Sequence, residues 1–170
     1  MKLFALTRSV AALAACIGLA APAVIAQTTD TAPAHPNFSG RWRMVKDKSE
    51  FPHATKPDMI IRVIDQRGST LNIHTIQTTG TVTKTADVSY FLDGSASTNT
   101  LNNHEATSKT FWDGSALNIR TTLKIANGED ELVEDRYELS DDGNTLTTTS
   151  HVSTPKGGTI LKLVCEKEKT

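Results

Sequence analysis

The stretch ALNIRTTLKIANGEDELVEDRYEL, Ala116 to Leu139, decides the fold. Leu117, Ile119, Leu123 and Ile125 fall on one face of an extended chain, while Asn118, Arg120, Thr122 and Lys124 take the other. After Asn127-Gly128 the pattern resumes, with Val133, Tyr137 and Leu139 opposing Glu134, Arg136 and Glu138. A period of two with one wet side predicts antiparallel sheet, solvated outside and packed inside. The Asn-Gly pair between the runs is a hairpin signal, because both residues tolerate the positive φ that reversing a twisted pair requires. Asp135 breaks the pattern: it is a carboxylate on the apolar face.

The same signals repeat along the chain. Further turns are marked at Arg67-Gly68, Asp93-Gly94, Asp113-Gly114, Asp142-Gly143 and Gly157-Gly158. Between the turns lie candidate strands at Gly40–Val45, Met59–Gln66, Thr70–Thr78, Thr81–Tyr90, Glu105–Trp112, Ala116–Ile125, Leu132–Leu139, Thr145–Ser153 and Thr159–Glu166. The polar segment Ser95–Asn103 reads equally as an extra strand or a loop. No stretch shows a helical apolar stripe of useful length. Short connections make neighbours in sequence neighbours in space, and closing such a meander into an up-and-down barrel removes two exposed edges. A sandwich needs long crossovers that are not evident here. An outer-membrane barrel needs apolar outer faces and aromatic girdles, whereas this chain has two Trp, two Tyr and five Phe and wears charges outside. The expectation is an all-β, antiparallel up-and-down barrel of about eight to ten strands.

The first residues read as an export signal. Lys2 and Arg8 precede the apolar run Ser9–Leu19, and Val24 and Ala26 stand where a signal peptidase inspects the chain. The run is too short to span a bilayer, which takes roughly 20 residues. Residues 1–26 are expected to be a signal peptide, 27–36 a flexible leader and 37–170 one barrel domain. Leu13-Ala14-Ala15-Cys16 also resembles a lipobox, which would anchor the chain through Cys16. The expected location is periplasmic or secreted. Removing Lys2 and Arg8 makes the formal net charge of −1 more negative still, which argues against a nucleic-acid partner. Of the two cysteines only Cys165 then remains, flanked by Leu163 and Val164, so no internal disulfide forms and Cys165 reads as a buried small hydrophobe. No transmembrane segment is expected in the mature chain, and oligomeric state is left open.

The folded part opens with Phe38-Ser39-Gly40-Arg41-Trp42, in which a glycine allows close approach and a flat indole plugs one barrel end. This resembles the Gly-x-Trp first strand of lipocalins and fatty-acid-binding proteins, the calycin group. With Trp112-Asp113-Gly114 and Leu139-Ser140-Asp141-Asp142-Gly143, the chain is also similar to secreted bacterial lipocalin-like proteins of undefined function. The resemblance implies a lipocalin-like barrel. It departs from the fatty-acid-binding pattern in having only Phe51–Asp58, with Pro52 and Pro57, where those proteins carry a helical lid. It departs from the lipocalins in offering Lys162 and Lys167 where they place an arginine over the tryptophan.

Candidate binding residues follow from register. Pairing Leu123 with Val133 brings Thr121 opposite Asp135, and pairing Leu139 with Leu146 brings Asp135 opposite Ser150 and Tyr137 opposite Thr148. Thr121, Asp135 and Ser150 are then expected to form a polar row across an apolar interior, either orienting a ligand or serving as a satisfied structural network. Trp42, Tyr90, Trp112 and Tyr137 are expected wall residues. Leu161, Leu163 and Cys165 are expected to point inward, although a one-residue slip would bring Lys162 beside Ser150. The five histidines lack metal-ligand spacing, so no metal and no cofactor is expected. No Gly-x-Ser-x-Gly and no paired nucleophile and base occur, so catalysis has no signature here. Two functions compete: an exported module that binds an apolar or amphipathic small molecule inside the barrel, and a structural or protein-interaction barrel with a filled interior. Export of the full chain from a bacterial host is predicted to yield a polypeptide beginning at Gln27, read by intact mass; a lipid-modified species beginning at Cys16 would reverse that reading.

Overall fold

Turn chemistry and alternation together build the observed sheet. The computed structural model describes residues 35–125, 130–155 and 157–169, so the turn at Asn127-Gly128, the expected signal peptide and most of the expected leader lie outside the described residues. Among the described residues ten strands form one antiparallel sheet. They are β1 (Gly40–Met44), β2 (Met59–Arg67), β3 (Thr70–Thr79), β4 (Val82–Phe91), β5 (Ser97–Leu101), β6 (His104–Asp113), β7 (Ala116–Lys124), β8 (Asp130–Leu139), β9 (Thr145–Thr154) and β10 (Gly157–Lys167). The spatial order is β4-β3-β2-β1-β10-β9-β8-β7-β6-β5. The sheet thus curls into a nearly closed barrel whose two ends, β4 and β5, face one another.

Nine strands match the expected ones to within two residues at either end. The open question at Ser95–Asn103 resolves as strand β5. Its turn lacks glycine: Asn102 and Asn103 take φ of 50° and 65°, the two consecutive positive values of a type I′ hairpin, and asparagine adopts them most readily after glycine.

One expected register is corrected. Leu123 faces Glu131 rather than Val133, so Thr121 faces Val133 and Ile119 faces Asp135. The shift is two residues and therefore leaves every side chain on its face. Charge explains it. The expected register sets Arg120 opposite Arg136, whereas the observed one pairs Arg120 with Glu134 (2.6 Å) and Lys124 with Asp130 (2.7 Å). On β10, Leu163 and Cys165 are buried, and Lys162 lies outside against Glu50 and Thr149, so the alternative slip does not occur.

The core fills one end of the barrel. Phe38, Trp42, Leu71, Leu117 and Leu146 are fully buried there, with Tyr90, Tyr137, Met44 and Leu163 around them. Trp42 Nε1 donates to the Phe38 carbonyl at 2.9 Å. Lys167 Nζ lies 5.1 Å from the centroid of the Trp42 ring, so a lysine takes the cationic place over the indole that the resemblance assigns to arginine. Gly40 makes this approach possible. Its φ is +149°, and a Cβ there would stand 2.6 Å from Lys167 Cε. After β1 a single 3₁₀ turn (Lys46–Lys48) and a short strap lead to β2. Phe51 packs against the core, Pro57 is fully buried, and Asp58 accepts from Lys46 and from the Gly80 amide, both at 2.8 Å.

Gly40→Ala is predicted to destabilise the protein by about 1–3 kcal/mol, read as a lowered urea midpoint. An unchanged midpoint would show that Lys167 and the backbone relax freely.

Candidate functional site

The chemistry of the interior centres on a residue that alternation alone conceals. On β2 the run Met59-Ile60-Ile61-Arg62-Val63-Ile64 is apolar at almost every position, so neither face is marked. The ladder settles the matter: Ile64 lies opposite Gly40 and Arg62 opposite Trp42, which puts Ile60, Arg62 and Ile64 inside. Arg62 therefore carries a guanidinium into the barrel. Its Nη1 donates to Thr148 Oγ1 at 3.0 Å and to the Tyr137 hydroxyl at 3.4 Å, and its carbon centre lies 5.6 Å from the Tyr137 ring centroid. Its Nε is buried without a partner among the described residues. A buried donor left unpaired costs about 1–3 kcal/mol, so it is a position where an acceptor would be welcome.

Across the interior, the Ser150 hydroxyl donates to Asp135, as the β8–β9 register requires. The two belong together as expected; Thr121 does not join them. It is buried and pairs with Ser108 at 2.8 Å, one strand further round. The expected polar row is thus two separate spots, because the β7–β8 register moves Thr121 opposite Val133.

The electrostatics follow from burial. Burial raises the pKa of Asp135; the Ser150 hydrogen bond and the Arg62 charge pull it down without reversing the shift. Burial likewise pushes Tyr137 up to about 12 and Cys165 up to about 11, against the pull of Arg62 in each case. The Tyr90 hydroxyl is raised far above its ordinary value by the same desolvation. Burial opposes the Arg62 charge, but at high pH the ionised forms of Tyr137, Cys165, Asp135 and Tyr90 oppose loss of its proton, and its pKa lies above the usual value. The result is an interior with one firmly cationic group, one carboxyl inclined to hold its proton and several neutral hydroxyls.

The remaining expected wall residues sit at the packed end. Trp42 is its floor and Tyr90 is buried in the core, while Trp112 is half-buried and stacks with His35 (4.0 Å) and with Phe38 (6.1 Å). Pro36 accepts from Gln66 at 3.1 Å, so the last two residues of the expected leader contact the barrel. His74 pairs with Asp87 at 2.6 Å on the outer face, and His151 is exposed. Among the described residues no group of three His, Cys, Asp or Glu side chains is placed to hold a metal, and no helix is long and apolar enough to cross a membrane.

No protein-family model and no curated protein matches the chain. Solved structures do. Lipid binding protein 8 of Caenorhabditis elegans is 15% identical, with 77% of this chain and 95% of that one covered at a TM-score of 0.57. A secretory abundant heat soluble protein of Ramazzottius varieornatus is 19% identical over 76% of this chain and 94% of its own, at 0.53. Zebrafish ileal bile acid-binding protein, solved with cholic acid, is 16% identical over 77% and 98%, at 0.50. These likenesses establish the fold: a calycin-type barrel of ten antiparallel strands.

The raised pKa of Asp135 has a direct consequence. The folded state holds this proton more tightly than the unfolded chain, so its contribution is full below the ordinary carboxyl value of 3.8 and is lost as pH rises through the folded pKa. Asp135→Asn is predicted to flatten that loss: the stability of the variant relative to wild type should grow as pH rises above 3.8. Urea unfolding across that range tests it, and a constant difference would show that Asp135 ionises without penalty.

Proposed function

We propose that this protein is an exported binding module whose barrel interior receives an amphipathic small molecule and orients it by its polar end. The observation that carries the reading is Arg62, a cation inside a barrel whose Nε is unpaired and which has two hydroxyl partners among the described residues. Such a group is an expensive structural choice, since an apolar residue would fill the same space without desolvating a charge. It becomes useful when a ligand supplies an anionic or strongly accepting group. Thr148 and Tyr137 then hold the guanidinium in position, the Ser150–Asp135 pair offers a second polar contact, and the apolar walls cover the remainder of the ligand. Burial of that remainder contributes about 25 cal/mol per Å². The neighbours support the same direction: one is a lipid binding protein and one a bile acid-binding protein.

A barrel filled by its own side chains is the competing reading, and the packing of Phe38, Trp42, Leu71, Leu117 and Leu146 at one end favours it. Native mass spectrometry of protein purified from its own host separates the two: a co-purifying small molecule supports binding, and a bare mass throughout supports the filled barrel. A fluorescent long-chain carboxylate and its uncharged alcohol analogue sharpen the test. Arg62→Gln is predicted to weaken the carboxylate by about 10–100-fold and the alcohol far less. Equal losses for both would remove Arg62 from the binding site.

A further inference from the structure

Charged side chains at inward positions divide by sign, and the two signs stand on opposite walls of the barrel. Arg62 is one of the cations. The ladders reveal a second. Gln77 lies opposite Ile60, a core residue, and Lys84 lies opposite Gln77, so Lys84 occupies an inward position at the end remote from the floor. It is exposed and has no partner among the described residues. The carboxylates are on β8. Away from Tyr137 the inward positions are Asp135, Val133 and Glu131, the last opposite buried Leu123. Glu131 is half-buried and likewise has no partner among the described residues. In the spatial order of the ten strands β3 stands second and β8 seventh, half a turn apart. Arg62 and Lys84, on the strands that flank β3, therefore stand across the interior from Asp135 and Glu131.

The deeper pair lies where the interior opens. Tyr137 and Thr148, opposite one another on β8 and β9, are buried and accept from Arg62. Asp135 and Ser150 form the next inward rung, about 7 Å further from the floor at two residues per rung. Both are half-buried. Ser150 engages one oxygen of the Asp135 carboxyl, and no ion pair joins Asp135 to Arg62 among the described residues. One rung further, Val133 and Val152 are half-buried and apolar. The floor around Trp42 is close-packed, so a ligand reaches Arg62 head first. From the floor outward the walls then present a cation, a carboxyl and an apolar rung. A plain carboxylate satisfies Arg62 but sets a second negative charge near Asp135. The raised pKa of Asp135 has a related origin, burial with no cation in contact.

We infer that the interior takes a zwitterionic amphipath, with its terminal anion on Arg62 and an ammonium nitrogen beside Asp135, between that anion and the apolar tail. Lys84 and Glu131 repeat the same polarity nearer the mouth, where they align the head group as it enters. The inference rests on the binding function proposed above and narrows its ligand class. Three probes of matched shape test it: N-dodecylglycine, which carries both charges; pentadecanoate, in which a methylene replaces the nitrogen; and N-methyldodecylamine, which lacks the carboxylate. Titration calorimetry of the wild-type protein, with each probe below its micelle concentration, is expected to give N-dodecylglycine a Kd about ten-fold lower than either singly charged probe. Asp135→Asn is expected to erase its advantage over pentadecanoate, and Arg62→Gln its advantage over the amine. Pentadecanoate bound as tightly as N-dodecylglycine by the wild-type protein, or an advantage that survives Asp135→Asn, overturns the inference and leaves the binding function standing. Binding of none of the three overturns both. The wild-type comparison needs no variant, so it decides the matter even if Asp135→Asn does not fold.

Discussion

Joining the first strand to the last is the constraint on which this molecule depends. All other laddered pairs are hairpins or near neighbours in sequence, but β1 meets β10 across more than a hundred residues, with Trp42 opposite Lys167 and Met44 opposite Cys165. Closing so long a loop is entropically costly, and three register pairs are a small return. The chain reinforces this junction with side chains. The Ser49 hydroxyl bonds to both Val45 and Val164 carbonyls, Glu168 bridges Arg41 and Arg43, and Lys167 lies over Trp42. Only when this line is closed does the inner face of every strand become a common interior.

That interior is graded from dry to polar. One end is a close-packed floor of aromatic and aliphatic side chains around Trp42, whose indole N–H is satisfied within the floor itself. Further in, Arg62, Tyr137 and Thr148 form one polar group and Asp135 with Ser150 another. Carboxyl and guanidinium influence each other electrostatically, yet no ion pair between them is found among the described residues. A direct pair would be self-sufficient; held apart by hydroxyl groups, both retain capacity for something else. Calycin-type barrels at 15–19% identity share the frame, and the frame does not specify what this constellation recognises.

The line between β4 and β5 shows the same economy in the backbone: no ladder joins these strands among the described residues, and the Asn99 carboxamide bridges them through the amide and carbonyl of Ser89. A fully laddered ring of ten strands would open only by cooperative unfolding. Replacing one ladder by an asparagine leaves the ring nearly continuous while lowering the cost of parting it at one line.

Much of this was legible in the sequence. Period-two alternation in Ala116–Leu139, glycine-bearing turns and the Gly40-x-Trp42 entry sufficed for an antiparallel barrel, nine of its strands and the pairing of Asp135 with Ser150. These rest on local physics: side chains alternate across a strand, and tight turns need residues that tolerate positive φ. The β5 strand stayed ambiguous because its Asn102-Asn103 turn carries no glycine. Three features waited for the tertiary structure. The β7–β8 register turned on Arg120 meeting Glu134 instead of Arg136, a cross-strand charge term that alternation does not contain. Arg62 entered the barrel because β2 pairs with Trp42 and Gly40, a relation between distant segments that its own apolar run does not mark. The missing ladder between β4 and β5 is likewise a relation between strands that no single strand records. The sequence by itself determined which faces of the alternating strands turn inward; only pairing and closure of the ring decided the face of β2 and which side chains meet inside, because that meeting is set by long-range pairing and not by local pattern.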